Sequence, residues 1–197
     1  MSASPAEAPV FYYDLYSPYA YLAALRVDDV LPVEPVWRPI LFGALLRQTG
    51  RVPWSLSPGR EEEMAAIARR AEQRGLPPLR WPPGWPVDTY SVTPVRAALV
   101  AEEAGRLRPV SRELYAQAFV KGHPLDSLDH VLEAAAAGGL DPEEVRVRIE
   151  DPQIKARVRE YTAEASERGV QGIPTVAIGL DLHWGDDRLE AAAAALA

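Results

Sequence analysis

Ser17-Pro18, inside Tyr13-Asp14-Leu15-Tyr16-Ser17-Pro18-Tyr19, sets a hydroxyl at the start of a predicted helix. Serine favours the position ahead of a helix, where its oxygen accepts from a free amide, and proline is tolerated as the first helical residue. A sulfur anion brought beside that hydroxyl would accept its hydrogen bond and feel the positive end of the helix dipole. Both effects favour the ionised thiol and lower its pKa. The same two residues also fit a plain helix cap with no chemistry. The sulfur would have to come from outside, because the 197 residues include no cysteine and cannot cycle a disulfide of their own.

Four further groups could share such a site. In Gly172-Ile173-Pro174-Thr175 a proline precedes an apolar strand; having no N–H for the sheet, it frees its neighbour's main chain for a ligand, or is simply a proline at a strand edge. In Trp184-Gly185-Asp186-Asp187-Arg188 two acids head the last helix. They cap it, and carboxylates with capping amides also suit the charged amino end of a small peptide. Arg51 and Arg60 are candidate anion clamps or ordinary solvated charges. Trp54, Trp81 and Trp85, set among prolines, fit the wall of an aromatic pocket or a hydrophobic seam equally well. His123, His130 and His183 lack the spacing and thiolate company of a metal site, so no metal is expected. Glu61-Glu62-Glu63 reads as a solvated face, and no glycine-rich nucleotide loop or Ser-His-Asp arrangement occurs.

The elements that must position these residues follow from pattern. Residues 10–14 are a short apolar strand, 18–31 a helix with Tyr21, Leu22, Leu25 and Val30 on one side, and 33–39 a second strand rich in β-formers. Strand, helix and strand make a right-handed βαβ unit with parallel strands. The period then turns helical for well over half the chain, with helices predicted at 42–49, 60–74, 93–104, 109–120, 127–137, 142–149 and 152–168. Asp141-Pro142-Glu143-Glu144 is a strong start signal, and Gly138-Gly139 and Gly169 mark stops. Residues 175–179 and 181–184 form a hairpin around Gly179-Leu180, and 187–196 a closing helix. The small, polar residues 1–8 read as a frayed tail.

Composition bounds the rest. Apolar residues make up 48% and charged residues 25%, an ordinary globular balance. A net charge of −7 argues against nucleic acid or an anionic membrane as partner. No apolar run is long enough to span a membrane. The first residues have neither a basic region nor an apolar one, so no signal peptide is expected and the cytoplasm is the expected compartment.

With these pieces in order the chain resembles the family of 2-hydroxychromene-2-carboxylate isomerases and kappa-class glutathione transferases. The likeness runs through residues 13–23, Trp37-Arg38-Pro39, residues 169–175 and residues 184–189. It implies an α/β, thioredoxin-like fold of the DsbA type: a discontinuous thioredoxin-like domain (9–41 and 169–197) carrying an all-helical insertion domain (42–168). In that fold the proline of Pro174 is cis. The resemblance implies that Ser17 hydrogen-bonds the sulfur of glutathione, that Ile173 beside Pro174 holds its cysteinyl backbone, and that Asp186 and Asp187 bind its γ-glutamyl end. Three positions depart from the family: Arg51 replaces an asparagine, Arg60 a lysine and Gln171 a phenylalanine. Arg60 keeps the positive charge and is carried over as a thiol-binding residue.

The implied function is a glutathione-dependent isomerase, using glutathione or another low-molecular-weight thiol as cosubstrate and acting on a small aromatic conjugated carbonyl. Glutathione transferase chemistry and a non-catalytic peptide-binding module are the alternatives, and a homodimer fits the likeness. Dithiol oxidoreductase activity is excluded by the missing cysteines.

Overall fold

The computed structural model describes residues 8–87 and 89–197, so all of the predicted tail but Ala8 lies outside the described residues. Four short strands make one mixed sheet in the order β2-β1-β3-β4. β1 (Val10–Tyr13), buried along its whole length, runs parallel to β2 (Val36–Pro39) in a register that opposes Phe11 to Trp37. β3 (Thr175–Ile178) lies antiparallel to β1 and turns back as β4 (Asp181–Trp184). The turn passes through Gly179 at φ 56°, a conformation glycine adopts without steric cost.

The predicted crossover helix is two pieces, α1 (Pro18–Ala24) and α2 (Val27–Val30). Between them the Arg26 amide reaches back only three residues, to the Ala23 carbonyl at 2.9 Å. No glycine or proline marks this break. α2 packs against the C-terminal helix, and Arg26 pairs there with Glu190, so tertiary contact accompanies the turn. Strand β2 is also shorter than predicted, beginning at Val36.

Between β2 and β3 the regular elements among the described residues are helices joined by loops: α3 (Phe42–Thr49), α4 (Arg60–Gln73), α5 (Val92–Glu103), α6 (Leu107–Ala116), α7 (Leu128–Ala137), α8 (Pro142–Arg148) and α9 (Pro152–Glu167). A 3-10 turn, Trp54–Leu56, lies in what reads from sequence as loop. α6 widens into a π-turn, Gln117–Lys121, and stops at Gly122 with φ 73°. The start signals act as predicted, since the Asp141 and Asp151 carboxylates accept from the Glu143 and Gln153 amides. A second 3-10 turn, Asp186–Arg188, leads into α10 (Leu189–Ala195).

Aromatic rings tie the sheet to the helices. Phe11 and Tyr13 stack at 5.3 Å, Trp37 meets both edge-on, and Tyr13 passes the contact to Tyr115 of α6. α5, with Val95, Ala97, Ala98, Leu99 and Ala101 fully buried, packs against α6, α7, α8 and α9. The arrangement brings the end of β1, the head of α1, the entry to β3 and the exit of β4 to one edge, and α3 and α5 begin beside them. Among the described residues no helix is long and apolar enough to cross a membrane.

Candidate functional site

At that edge lies an open cleft of about 960 Å³. Ser17, Ile173, Pro174, Asp186 and Asp187 all line it, although 156 positions separate the first two in sequence (173 − 17). Arg60, the first residue of α4, is not among the lining residues.

Ser17 is half-buried and in the predicted cap position: its Oγ accepts from the Ala20 amide at 3.2 Å, and its own amide donates to the Asp14 carbonyl at 3.1 Å. The cap uses an oxygen lone pair and leaves the hydroxyl proton free to donate. α1 has only seven residues, so its dipole is short and the hydroxyl is the stronger influence on an anion placed there.

Ile173–Pro174 is a cis peptide, as expected of the fold, and both residues are buried. The Pro174 carbonyl accepts from the Gly185 amide at 2.9 Å, which fixes the turn after β4 beside the entry to β3. Among the described residues the Ile173 main chain makes no hydrogen bond. A buried edge with unused donor and acceptor suits an extended peptide backbone.

The same corner explains Gly172. A Cβ there would run into the Trp184 indole, which lies directly against the glycine. Arg51 covers the other side, its guanidinium 4.7 Å from the indole centroid and its Nη1 donating to the Gln171 carbonyl at 3.0 Å. The loop after α3 is thereby tied to the chain just before the cis bond.

Trp54 and Trp85 line the cleft, whereas Trp81 sits behind, 4.8 Å from the Trp85 ring and packed edge-on to Phe119. The three tryptophans thus divide, two facing the cleft and one packed in the seam behind it. The wall continues through Tyr19, whose ring meets Trp54 at 5.9 Å, and Trp85 is anchored by Nε1 to the Tyr16 carbonyl at 3.1 Å. The peptide after it, Trp85–Pro86, is also cis, which nothing in the sequence announced.

The acidic pair divides. Asp186 is 1% exposed, and its two oxygens are held by Arg70 at 2.5 Å and Arg74 at 2.6 Å. Asp187 is exposed and lines the cleft. Glu63, which sequence reading left as surface, also lines it and accepts from the Tyr19 hydroxyl. Burial pushes the Tyr19 phenol above its ordinary pKa and the Glu63 carboxylate adds to the shift, so Tyr19 stays a donor. The four-residue spacing of Arg70 and Arg74 on one face of a helix was the available signal for their joint partner.

Asp14, quoted in the sequence only as part of a motif, is 4% exposed at the cleft and meets no cation among the described residues. Its Oδ1 accepts from the Tyr16 amide at 3.0 Å, and its Oδ2 accepts from the Phe42 amide and the Ser91 hydroxyl, both at 2.8 Å. Burial raises its pKa, opposed by those three hydrogen bonds. The Phe42 amide belongs to the first turn of α3, which has no cap of its own, so Asp14 ties the Ser17 loop to the heads of α3 and α5. The histidines lie elsewhere: His123 and His130 stack at 4.4 Å and neither lines the cleft.

Comparison with known proteins agrees with this architecture. The chain is 24% identical over 194 residues to glutathione S-transferase kappa 1 of Rattus norvegicus, covering 91% of this chain and 86% of that protein. It is 24% identical over 188 residues to 2-hydroxychromene-2-carboxylate isomerase of Sphingobium xenophagum, covering 91% and 93%. The solved structure of a 2-hydroxychromene-2-carboxylate isomerase superposes with a TM-score of 0.78 at 23% identity, over 96% of this chain and 94% of that one. Residues 10–197 match the DsbA-like thioredoxin domain, and the chain belongs to that family.

Proposed function

We propose that the chain is a glutathione-dependent isomerase of the 2-hydroxychromene-2-carboxylate isomerase type, acting on an aromatic conjugated carbonyl. One juxtaposition carries this reading. A donor hydroxyl, Ser17, shares a cleft with the unused main chain of Ile173 at a cis proline, in a chain without sulfur nucleophiles of its own.

Glutathione would lie along the Ile173–Pro174 edge with its sulfur at Ser17. Its γ-glutamyl end carries both signs, and the cleft offers both nearby: Asp187 and Glu63 for the ammonium, Arg70 for the carboxylate. Asp186, filled by two arginines, then acts by holding Arg70 in place rather than by touching the amine. Arg47 and Arg51, which line the cleft, take the remaining carboxylate in preference to Arg60.

In the reaction the thiolate adds to the conjugated carbonyl and turns a double bond into a rotatable single bond. Rotation and expulsion of the thiolate give the isomer. The protein lowers the thiol pKa from about 8.5 towards neutrality and holds the partners in line. Trp54 and Trp85, their rings 5.6 Å apart and inclined at 47°, supply an apolar wall for the aromatic substrate.

The name of the rat relative favours a second reading, conjugation of glutathione to an electrophile. Product analysis separates the two. Isomerisation should proceed for many turnovers on a trace of glutathione, whereas mole-for-mole loss of thiol would replace isomerase by transferase. Calorimetry with millimolar glutathione showing no heat, alongside no turnover, would leave a binding module.

A further inference from the structure

Ser91 stands immediately before α5, in the position where serine ordinarily caps a helix, yet its hydroxyl makes no cap bond. It donates instead to Asp14 Oδ2 at 2.8 Å, and Ser91 and Asp14 both line the cleft. The other two donors to Asp14 are main-chain amides, which can only donate. Among the described residues Ser91 is thus the single partner of this carboxyl able to reverse its hydrogen bond: when Asp14 carries a proton, that proton is given to Ser91 Oγ and the serine's own proton is turned outward. A buried carboxyl without a cation, its proton affinity raised by burial, has reason to hold that proton.

We propose that Ser91 and Asp14 form a proton relay into the cleft, Ser91 passing a proton to the substrate oxygen and Asp14 supplying and recovering it. The proposal rests on the isomerase reading above. As the thiolate electron pair forms the carbon–sulfur bond, the carbon–carbon π pair shifts towards the carbonyl and negative charge gathers on its oxygen. That oxygen takes the Ser91 proton, Ser91 takes the proton of Asp14, and the Asp14 carboxylate remains held by the amides of Tyr16 and Phe42. On expulsion the carbon–sulfur pair returns to sulfur, the double bond re-forms, and the proton travels back through Ser91 to Asp14. Nothing is consumed. Conjugation by displacement of an aryl halide develops no such carbonyl oxyanion and has no use for the relay.

The test compares two reactions of the full chain with glutathione: isomerisation of a cis aryl enone and conjugation of a nitro-activated aryl chloride. Ser91→Ala should lower the ratio of isomerisation to conjugation about 100-fold, within the usual range for one acid–base group, through kcat rather than the KM for glutathione. Ser91→Thr, which keeps a hydroxyl, should restore the ratio, and the solvent isotope effect on isomerisation should vanish in Ser91→Ala. Asp14→Asn, which keeps the shape but holds no transferable acid proton, should lower the same ratio. An unchanged ratio in Ser91→Ala or Asp14→Asn, or equal loss of both reactions in Ser91→Ala without rescue by threonine, overturns the relay. Wild-type protein that conjugates but never isomerises overturns the isomerase reading, and the relay with it, before any variant is made.

Discussion

The Arg51 guanidinium lies 4.7 Å from the centroid of the Trp184 indole, and that indole rests on Gly172, one residue before the cis peptide. A residue of the loop after α3 thus presses a strand residue against the chain just before the cis bond, where we propose that the main chain of glutathione pairs. The contact explains why position 172 tolerates no side chain, and it gives the first prediction.

Gly172→Ala should destabilise the fold by about 1–3 kcal/mol, the usual cost of forcing a methyl into occupied space, and should weaken glutathione binding. Trp184→Ala in the same chain removes the obstacle, so the double variant should be more stable than the sum of the single effects. Urea unfolding of the four proteins measures this, and strict additivity would separate Gly172 from Trp184.

Ser17→Ala removes the hydroxyl that we propose donates to the sulfur of glutathione. A hydrogen bond to a charged group contributes about 1.5–3 kcal/mol, which corresponds to a rise of about 1–2 units in the bound-thiol pKa. Turnover at neutral pH should fall about 10–100-fold in step with the lost thiolate. Ultraviolet titration of bound glutathione reads the pKa directly. A thiol that ionises alike in both proteins would remove Ser17 from the mechanism.

Asp186→Asn leaves Arg70 and Arg74 facing a neutral amide. Breaking a fully buried pair costs about 3–5 kcal/mol; here the arginine side chains stay 34% and 20% exposed, and about 2 kcal/mol is expected. Glutathione affinity should fall as well, because Arg70 and the turn at Gly185 lose their common anchor. Denaturant midpoints and calorimetry test the two effects separately, and an unaltered midpoint would contradict the burial of this carboxylate.

Asp14 makes stability depend on pH in a definite direction. Its folded pKa is raised above the ordinary 3.8, so between that value and the folded one the native chain binds more protons than the unfolded chain. Wild-type stability therefore declines as pH rises through this window, by about 1.4 kcal/mol for each unit of elevation. Asp14→Asn has no proton to lose. Its deficit against wild type should be largest at the acid end and shrink as pH rises, and a deficit that grows with pH would reverse the assignment.

Local chemistry made much of this protein legible in its sequence. The Ser17-Pro18 helix start, the Asp141 cap, the strand at Thr175 and the hairpin at Gly179 depend on near neighbours, and each stands where its pattern predicts. The break at Arg26 and the π-turn at Gln117 left no such mark, because no local breaker stands at either point.

Within the cleft the division is the same. Residue types along the chain determined that a hydroxyl, a proline edge and an acidic pair exist, and that any reacting sulfur is not the chain's own. Only the tertiary structure decided that Ser17 and Ile173 face one space, that Asp186 is sealed by two arginines while Asp187 stays open, and that Ser91 abandons its helix for Asp14. These outcomes turn on which donors meet which acceptors across tens of residues. Burial sets the strength of each such pairing, and burial is a property of the packed chain that no stretch of sequence holds alone.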